Sequence, residues 1–239
     1  MDSKIDKQRI ERAVIKVSEE IEKKPNCNKN WKQLNETQLF TEIVSCILGS
    51  KVKFEIARDY TKKLKGQHLL VPLNIIKRSE FYENKIYSAL SNPTGNKVML
   101  TKRYPYPRSK ASFILRTAVE VYGKSKTSLK KILSNCESET EARCKLVDLC
   151  CGIGFKQASL FLTNVGFAEN LAILDSHVLN YMKIQGMCDL KSKSITKKQY
   201  LNYEQTLISY ANSFNQSLAK LDFAIWIVMR VLRGQAQWA

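Results

Sequence analysis

The chain has 239 residues, of which 44% are apolar, so it is long enough to bury a full core as one domain or as two lobes around a cleft. It has no apolar run of about 18 residues that would span a bilayer, and its charged N-terminus has no hydrophobic signal core, so we expect a cytosolic protein without a membrane partner. The 39 Lys and Arg against 22 Asp and Glu give a net charge of +17 spread along the chain, which favours a polyanionic partner, nucleic acid before membrane; a merely basic protein from a lysine-rich proteome is the alternative.

Nearly every segment has the helical period of 3.6 residues, so the sequence predicts a mainly α-helical protein. The predicted helices span residues 3–23, 36–49, 52–65, 77–91, 109–122, 126–134, 138–150, about 155–166, 176–183, 197–213 and 217–232. The helix at 36–49 is far more apolar than the first one and ends in a glycine, as a buried central helix does. The segment 92–110 holds three of the five prolines, which makes it the clearest loop and a candidate crossover.

The seven cysteines are odd in number and show no repeated Cys-x-x-Cys spacing, which indicates reduced thiols. They are Cys27, Cys46, Cys136, Cys144, Cys150, Cys151 and Cys188. The two histidines, His68 and His177, lie far from any cysteine pair in the sequence. We therefore expect no zinc site and no cofactor.

Residues 141–168 contain two helices joined by a tight turn. The first helix, inward-facing at Leu146 and Cys150, runs into Cys151-Gly152-Ile153-Gly154, and the second begins at about Phe155. Glycine lets the backbone turn sharply and approach a ligand within hydrogen-bonding distance. The second helix offers unpaired N–H groups and the positive end of its dipole, which bind phosphate without regard to base sequence. We predict a helix-hairpin-helix that binds a nucleic acid backbone; a purely structural hairpin is the alternative.

Lys156 stands two residues after the second glycine, and Asp175 follows it by 19 residues in the segment AILDSHVLNYM. Taken separately, Lys156 is explained as a solvated lysine in a first helical turn, and Asp175 as an N-cap, a position that aspartate fills well. They occur together, with the hairpin before the lysine and an Asp-x-His after the second helix. This combination favours a catalytic pair.

These motifs resemble those of the helix-hairpin-helix DNA glycosylases, the superfamily of endonuclease III and the 8-oxoguanine glycosylases. That superfamily carries L-x-G-[IV]-G-x-K-x-A followed by [VIL]-D-x-H, and this chain has CCGIGFKQA at 150–158 and LDSH at 174–177. Cys150 stands at the usual leucine and Cys151 at a position often held by proline. The match is strong at about 146–182, and the rest of the chain carries weaker similarity.

The wider resemblance is to the short 8-oxoguanine glycosylase/lyases of archaea and some bacteria. It is carried by LFTEIVSCILGSKVKFEIARDY at 39–60, RYPYPRSKASFIL at 103–115 and LDFAIWIVMR at 221–230. The C-terminal iron-sulfur cysteines of endonuclease III are missing, since the last cysteine is Cys188. The endonuclease III subgroup is therefore disfavoured.

The resemblance implies one glycosylase unit over 1–239, built as two helical subdomains that flank a DNA-binding cleft. The implied lobes are 25–120, with a crossover loop at 92–110, and 121–239 together with the N-terminal helix 3–23. The amine of Lys156 is implied to displace a flipped-out base and to form a Schiff base with the sugar, after which β-elimination cuts the strand. Asp175 is implied to stabilise the developing oxocarbenium charge and to orient the lysine or the sugar.

The candidate DNA contacts begin with the hairpin residues Gly152, Gly154 and Gln157. His177 is implied to lie near the phosphate beside the flipped nucleotide, and a capped or core histidine is the alternative. Five basic residues are candidate contacts to the DNA backbone, although each is equally explained as a solvated charge. These five are Lys51, Lys53, Arg103, Arg108 and Lys110.

Two further sets complete the candidate site. Hairpins of this family often hold a monovalent cation, and the candidate ligands here are backbone carbonyls of Asp148, Cys150 and Ile153. Three aromatic residues are candidates for stacking on the base, although aromatic residues at helical spacing are more often core. They are Phe223, Trp226 and Trp238.

Together these features predict a bifunctional DNA glycosylase and lyase that removes an oxidised purine, 8-oxoguanine first, during base excision repair. We expect it to act as a monomer on double-stranded DNA, in the cytoplasm at the nucleoid or in a eukaryotic nucleus. The same chemistry on another modified base, including one in foreign DNA, is an alternative. A helix-hairpin-helix module that binds DNA without catalysis is the other.

Overall fold

The computed structural model describes residues 6–22, 30–93, 103–189 and 195–234. The chain divides into two compact units, which we call the central unit (30–167) and the terminal unit (1–29 with 168–239). Within the described ranges all regular structure is helical, and no helix is both long and apolar enough to cross a membrane. The predicted mainly α-helical fold class is confirmed.

Each unit has its own set of helices. The central unit contains α2 (Glu36–Gly49), α3 (Phe54–Gly66), α4 (Pro72–Lys77), α5 (Ser79–Ser91), α6 (Pro107–Ala118), α7 (Leu129–Ser134), α8 (Glu139–Leu149) and α9 (Phe155–Asn164), with a 3-10 turn at Trp31–Gln33 and a π-helical turn at Val119–Lys124. The terminal unit contains α1 (Lys7–Glu22), α10 (Ser176–Gln185), α11 (Lys197–Asn212) and α12 (Leu218–Leu232).

Helix α2 forms the core of the central unit, as its apolar sequence predicts. It begins at Asn35, whose side chain forms a capping box with Gln38, and it packs against α3, α6, α7 and α9. The carboxylate of Glu36 accepts the N–H groups of Leu129 and Lys130 at 3.1 and 2.9 Å, so the start of α2 is joined to the start of α7. These bonds tie residues beyond 120 to the first helix of the unit.

In the terminal unit the N-terminal helix α1 packs on α12, the last helix. Ile10 and Val14 of α1 are buried, and the Ser18 hydroxyl lies 3.0 Å from the side-chain oxygen of Gln216. Tyr210 donates to Glu11 at 2.8 Å, which joins α1 to α11 as well. Two distant parts of the sequence therefore share one core.

The helix predictions agree closely with the structure, and three differences from the predicted organisation have physical causes. The six-residue helix α4 was missed because it is too short to show a period. The helix predicted at 109–122 begins two residues earlier, at Pro107, and leaves α-helical geometry after Ala118. The structure divides after residues 29 and 167 instead of 120, because α7 and α9 both pack on α2. Residues 94–102 of the proposed crossover lie outside the described residues.

Candidate active site

The hairpin predicted between α8 and α9 is present, and steric constraints require glycine at its first glycine position, Gly152. Gly152 has φ +75°, and a Cβ there would lie 2.5 Å from Cδ2 of Phe113. The N–H of Cys151 donates to the hydroxyl of Thr117 at 3.0 Å, and because Thr117 belongs to α6, this bond joins the turn to α6. Any side chain at 152 would strain the backbone and collide with Phe113.

The second glycine keeps the start of α9 accessible. Gly154 is exposed, has an extended backbone, and would bring a Cβ no closer than 3.8 Å to Gln157. Neither φ nor packing therefore requires glycine at this position. Because Gly154 has no side chain, it leaves the first N–H groups of the ten-residue helix α9 open to an anion, together with the helix dipole. This geometry fits the predicted phosphate site, to which Gln157 of the same first turn belongs.

Lys156 lies in the first turn of α9 and is half-buried. The neighbouring Phe155 ring contacts the guanidinium of Arg143 of α8, with 4.8 Å from Cζ to the ring centroid. Arg143 is fully buried and its Nη1 lies 3.4 Å from the Ser159 hydroxyl. These contacts fix the first two turns of α9 against α8, and so they also fix the backbone that carries Lys156. Sequence reasoning missed Arg143, although its spacing from Leu146 and Cys150 places it on the inner face of α8.

Four of the five candidate backbone contacts are exposed: Lys51, Lys53, Arg103 and Arg108. The prediction for Lys110 is wrong. Its side chain is 5% exposed and its Nζ donates to the carbonyl of Ile47 at 2.6 Å, so the ammonium is used inside the central unit. Burial, and then the charge of Lys51, lower the pKa of Lys110 to about 8.

Asp175 is the N-cap of α10, which was the structural alternative for this residue. Its Oδ1 accepts the N–H groups of His177 and Val178 at 2.7 and 2.9 Å. The cap uses one carboxylate oxygen and fixes its direction. An N-cap role and a catalytic role are therefore compatible in this geometry.

Buried polar residues of α11 and α12 hold the extended segment that leads to Asp175. Glu204 accepts the N–H of Ala172 at 2.9 Å, and Asp222 accepts the N–H of Ile173 at 2.7 Å. Tyr200 donates to the carbonyl of Ala172 at 2.6 Å. These contacts are long-range, and sequence reasoning missed all three side chains.

His177 follows the cap and is half-buried. Burial lowers the pKa of His177, Asp175 raises it, and the charges of Arg233 and Arg230 lower it further. Its Nδ1 is buried and has no hydrogen-bond partner among the described residues. Arg230 of α12 and Arg233, which follows this helix, therefore oppose protonation of His177, whereas Asp175 favours it.

Phe223 and Trp226 lie side by side on the outer face of α12. Their rings stack with centroids 5.9 Å apart and an angle of 16° between planes, and Phe223 is 47% exposed. The guanidinium of Arg230 lies 4.4 Å from the Trp226 ring centroid. The alternative that both aromatics are core residues is wrong for Phe223. Trp238 lies outside the described residues.

The cation site stays a prediction. Among the described residues no group of three or more His, Cys, Asp or Glu side chains could hold a metal, and the predicted cation site consists of main-chain oxygens instead. One of the three proposed carbonyls, that of Cys150, already accepts the N–H of Ile153 at a long 3.4 Å. The carbonyls of Asp148 and Ile153 complete the proposed set.

Comparison with known proteins agrees with this geometry. Residues 21–216 match the family described as 8-oxoguanine DNA glycosylase (Ogg-HhH). The chain belongs to this family. The 8-oxoguanine DNA glycosylase/AP lyase of Saccharolobus solfataricus is 31% identical over 193 residues, which cover 80% of this chain and 82% of that protein. The family predicted from the hairpin and the Asp-x-His motif is confirmed.

Solved structures of two relatives share the fold. The 8-oxoguanine DNA glycosylase of Thermotoga maritima has a TM-score of 0.72 at 26% identity, over 97% of this chain and 98% of that one. The Methanocaldococcus jannaschii glycosylase/lyase, solved with DNA containing 8-oxoguanine, has a TM-score of 0.67 at 23% identity, over 97% and 93%. The overall fold of the family therefore extends over nearly the whole chain.

Proposed function

We propose that this protein is a bifunctional DNA glycosylase and AP lyase that excises 8-oxoguanine from double-stranded DNA. The observation that carries the proposal is the joint presence of Lys156 directly after an open glycine hairpin and of a fixed carboxylate at Asp175, in a member of the 8-oxoguanine glycosylase family. The names of the relatives, and DNA bound to one of them, support the same activity.

The chemistry follows from an amine nucleophile. The Nζ of Lys156 attacks C1′ of the flipped nucleotide while the bond from C1′ to the base breaks, and the base leaves with its electron pair and takes up the proton that the amine releases. Asp175 stabilises the positive charge that develops on the sugar. Ring opening gives an iminium ion, loss of a C2′ proton expels the 3′ phosphate, and water then releases the lysine. The hairpin binds a phosphate of the same strand and so holds the nucleotide during these steps.

The roles of the remaining candidates belong to the same proposal. The exposed Phe223 and the neighbouring Trp226 stack on the extruded base, which favours a flat purine. His177, with Arg230 and Arg233 nearby, contacts the adjacent phosphate. Lys51, Lys53, Arg103 and Arg108 bind the DNA backbone. The monomeric state and the cellular location stay predictions.

Borohydride trapping tests the activity. A duplex that contains 8-oxoguanine, incubated with the wild-type protein and reductant, is expected to give a covalent protein–DNA adduct, because the reagent reduces the Schiff base. Lys156→Gln is expected to abolish the adduct. Lys198→Gln is the matched control, since Lys198 is also the second residue of its helix and is exposed.

The same assay separates the alternatives. A non-catalytic module would bind the duplex and give no adduct with either protein, which would overturn the proposal. Duplexes with other modified bases and with an abasic site identify the substrate. An adduct on another base but not on 8-oxoguanine would keep the mechanism and replace the substrate.

A further inference from the structure

Lys110 is buried in the central unit, yet it lies between two predicted DNA-binding features. It occupies one face of α6 with Phe113 and Thr117, at helical spacing. Phe113 lies under Gly152, and Thr117 accepts the N–H of Cys151, so this face supports the glycine hairpin. One turn earlier, the ammonium of Lys110 reaches the carbonyl of Ile47 at the end of α2.

The end of α2 is held twice. Tyr104 donates to the carbonyl of Leu48 at 2.5 Å, beside the bond from Lys110 to Ile47. Both donors are nearly fully buried. They bind carbonyls of the last turn of α2, and the carbonyl of Ile47 also accepts the N–H of Ser50 at 3.3 Å. These bonds therefore fix the backbone at the start of the turn between α2 and α3.

That turn carries Lys51 in a strained conformation. Its φ is +62°, in the left-handed region that favours glycine and is strained for a lysine. Lys51 is exposed and is close enough to Lys110 for its charge to lower the pKa of the buried ammonium. Such strain persists where the surroundings determine the backbone, and the bonds at Ile47 and Leu48 provide this restraint.

We infer that Lys110 is a positioning residue for DNA binding, which acts through the carbonyl of Ile47 to hold the turn carrying Lys51 at a fixed place relative to the glycine hairpin. The inference rests on the proposed DNA-binding function. It assigns the buried lysine a task other than phosphate contact. Helix α6 then sets the spacing between two DNA-contacting elements of the central unit.

Lys63 provides a matched comparison in the same unit. Its Nζ donates to the carbonyls of Ala89 and Asn92, each at 2.7 Å, so it caps the end of α5 as Lys110 caps the end of α2. Burial lowers the pKa of Lys63 as well. Lys63 has no described contact with the hairpin or with the α2–α3 turn. A purely structural capping role predicts the same behaviour for both lysines.

A double-mutant cycle tests the inference. Affinity for a labelled duplex with a tetrahydrofuran abasic-site analogue is measured by fluorescence anisotropy for the wild type, Lys51→Met, Lys110→Met and the double variant. Lys51→Met is expected to weaken binding about tenfold, the effect of losing one charge-assisted contact. Lys110→Met is expected to weaken it about fivefold in the wild type and less than about twofold in the Lys51→Met background.

Three further measurements complete the experiment. Lys63→Met is expected to leave the affinity unchanged, and Lys110→Arg, which keeps the charge and the donor, to retain most of it. The rate of borohydride adduct formation at saturating DNA is expected to stay within about twofold of wild type in Lys63→Met, which leaves the DNA-binding elements intact. If Lys110→Met does not fold, Tyr104→Phe replaces it, since it removes only the neighbouring hydroxyl.

Additive effects of Lys51→Met and Lys110→Met would overturn the inference, as would an equal loss in Lys63→Met or an unchanged affinity in Lys110→Met. Failure of the proposed function is separate. It would appear as no adduct with the wild-type protein, while the affinity cycle would still report whether the two lysines act together.

Discussion

The hairpin at 150–157 and the segment at 171–178 carry the two halves of the proposed chemistry, and they are fixed in different ways. In the hairpin, a positive φ at Gly152 and the collision of any Cβ there with Phe113 both favour glycine. In the other segment, Asp175 is a common N-cap, and the chain leading to it is held by the N–H groups of Ala172 and Ile173, which donate to Glu204 and Asp222. A local steric restriction on the residue type can be recognised in the sequence. The positioning of a side chain by residues that are distant in the sequence cannot.

The largest expected effect is on stability and comes from Gly152→Ala. The added methyl combines a positive φ with a collision at Phe113, and we expect a loss of about 3 kcal/mol in the free energy of unfolding. Gly154→Ala is the control, with a change below about 0.5 kcal/mol and DNA affinity about tenfold weaker. Denaturant titrations and anisotropy measure both. Equal destabilisation by the two substitutions would remove the distinction between the glycines.

The next effect separates the two roles of Asp175. Asparagine caps helices as well as aspartate does, so Asp175→Asn should change stability by less than about 0.5 kcal/mol. A neutral amide does not stabilise the developing positive charge, so excision of 8-oxoguanine should fall about 100-fold. Single-turnover assays and thermal unfolding provide the readouts. Wild-type activity in Asp175→Asn would reduce this residue to a helix cap.

The smallest effect is a pH dependence that originates in the second region. Because burial lowers the pKa of His177, the unfolded chain binds its proton more readily than the folded chain does. The folded protein therefore loses stability as pH falls below about 6.5, the usual histidine value, and His177→Gln should flatten this part of the profile. Denaturation at pH 5 and pH 7 checks the slope. A steeper slope in His177→Gln would mean that the imidazole is stabilised in its charged form.

Much of the fold was predictable because helical period, caps and glycine stops are local signals. Helix α2 runs from Glu36 to Gly49 as predicted, since an apolar run is bounded by Asn35 and a glycine. The hairpin and the Asp-x-His motif were equally visible, because steric demand and capping restrict the residue types. The resemblance of these two motifs to those of a known superfamily predicted the family.

The errors concern charged residues on inward faces. Lys110 shares the spacing of the buried residues Ile114 and Thr117, so the period itself placed it inside, but its charge favoured a solvent-facing interpretation. Arg143 is a second example, stacked on Phe155 beneath the catalytic candidate. A buried cation depends on carbonyls and rings supplied by other helices, and those partners are invisible until the chain is folded.

The packing of α1 on α12 has a consequence for the order in which the protein is assembled. The central unit is a continuous stretch, so all of its residues have been synthesised before the last quarter of the chain emerges from the ribosome. The terminal unit needs both the first and the last helices of the chain. During translation, α1 therefore cannot pack on α12 and bury Ile10 and Val14 in the core of the terminal unit until α12 has been synthesised.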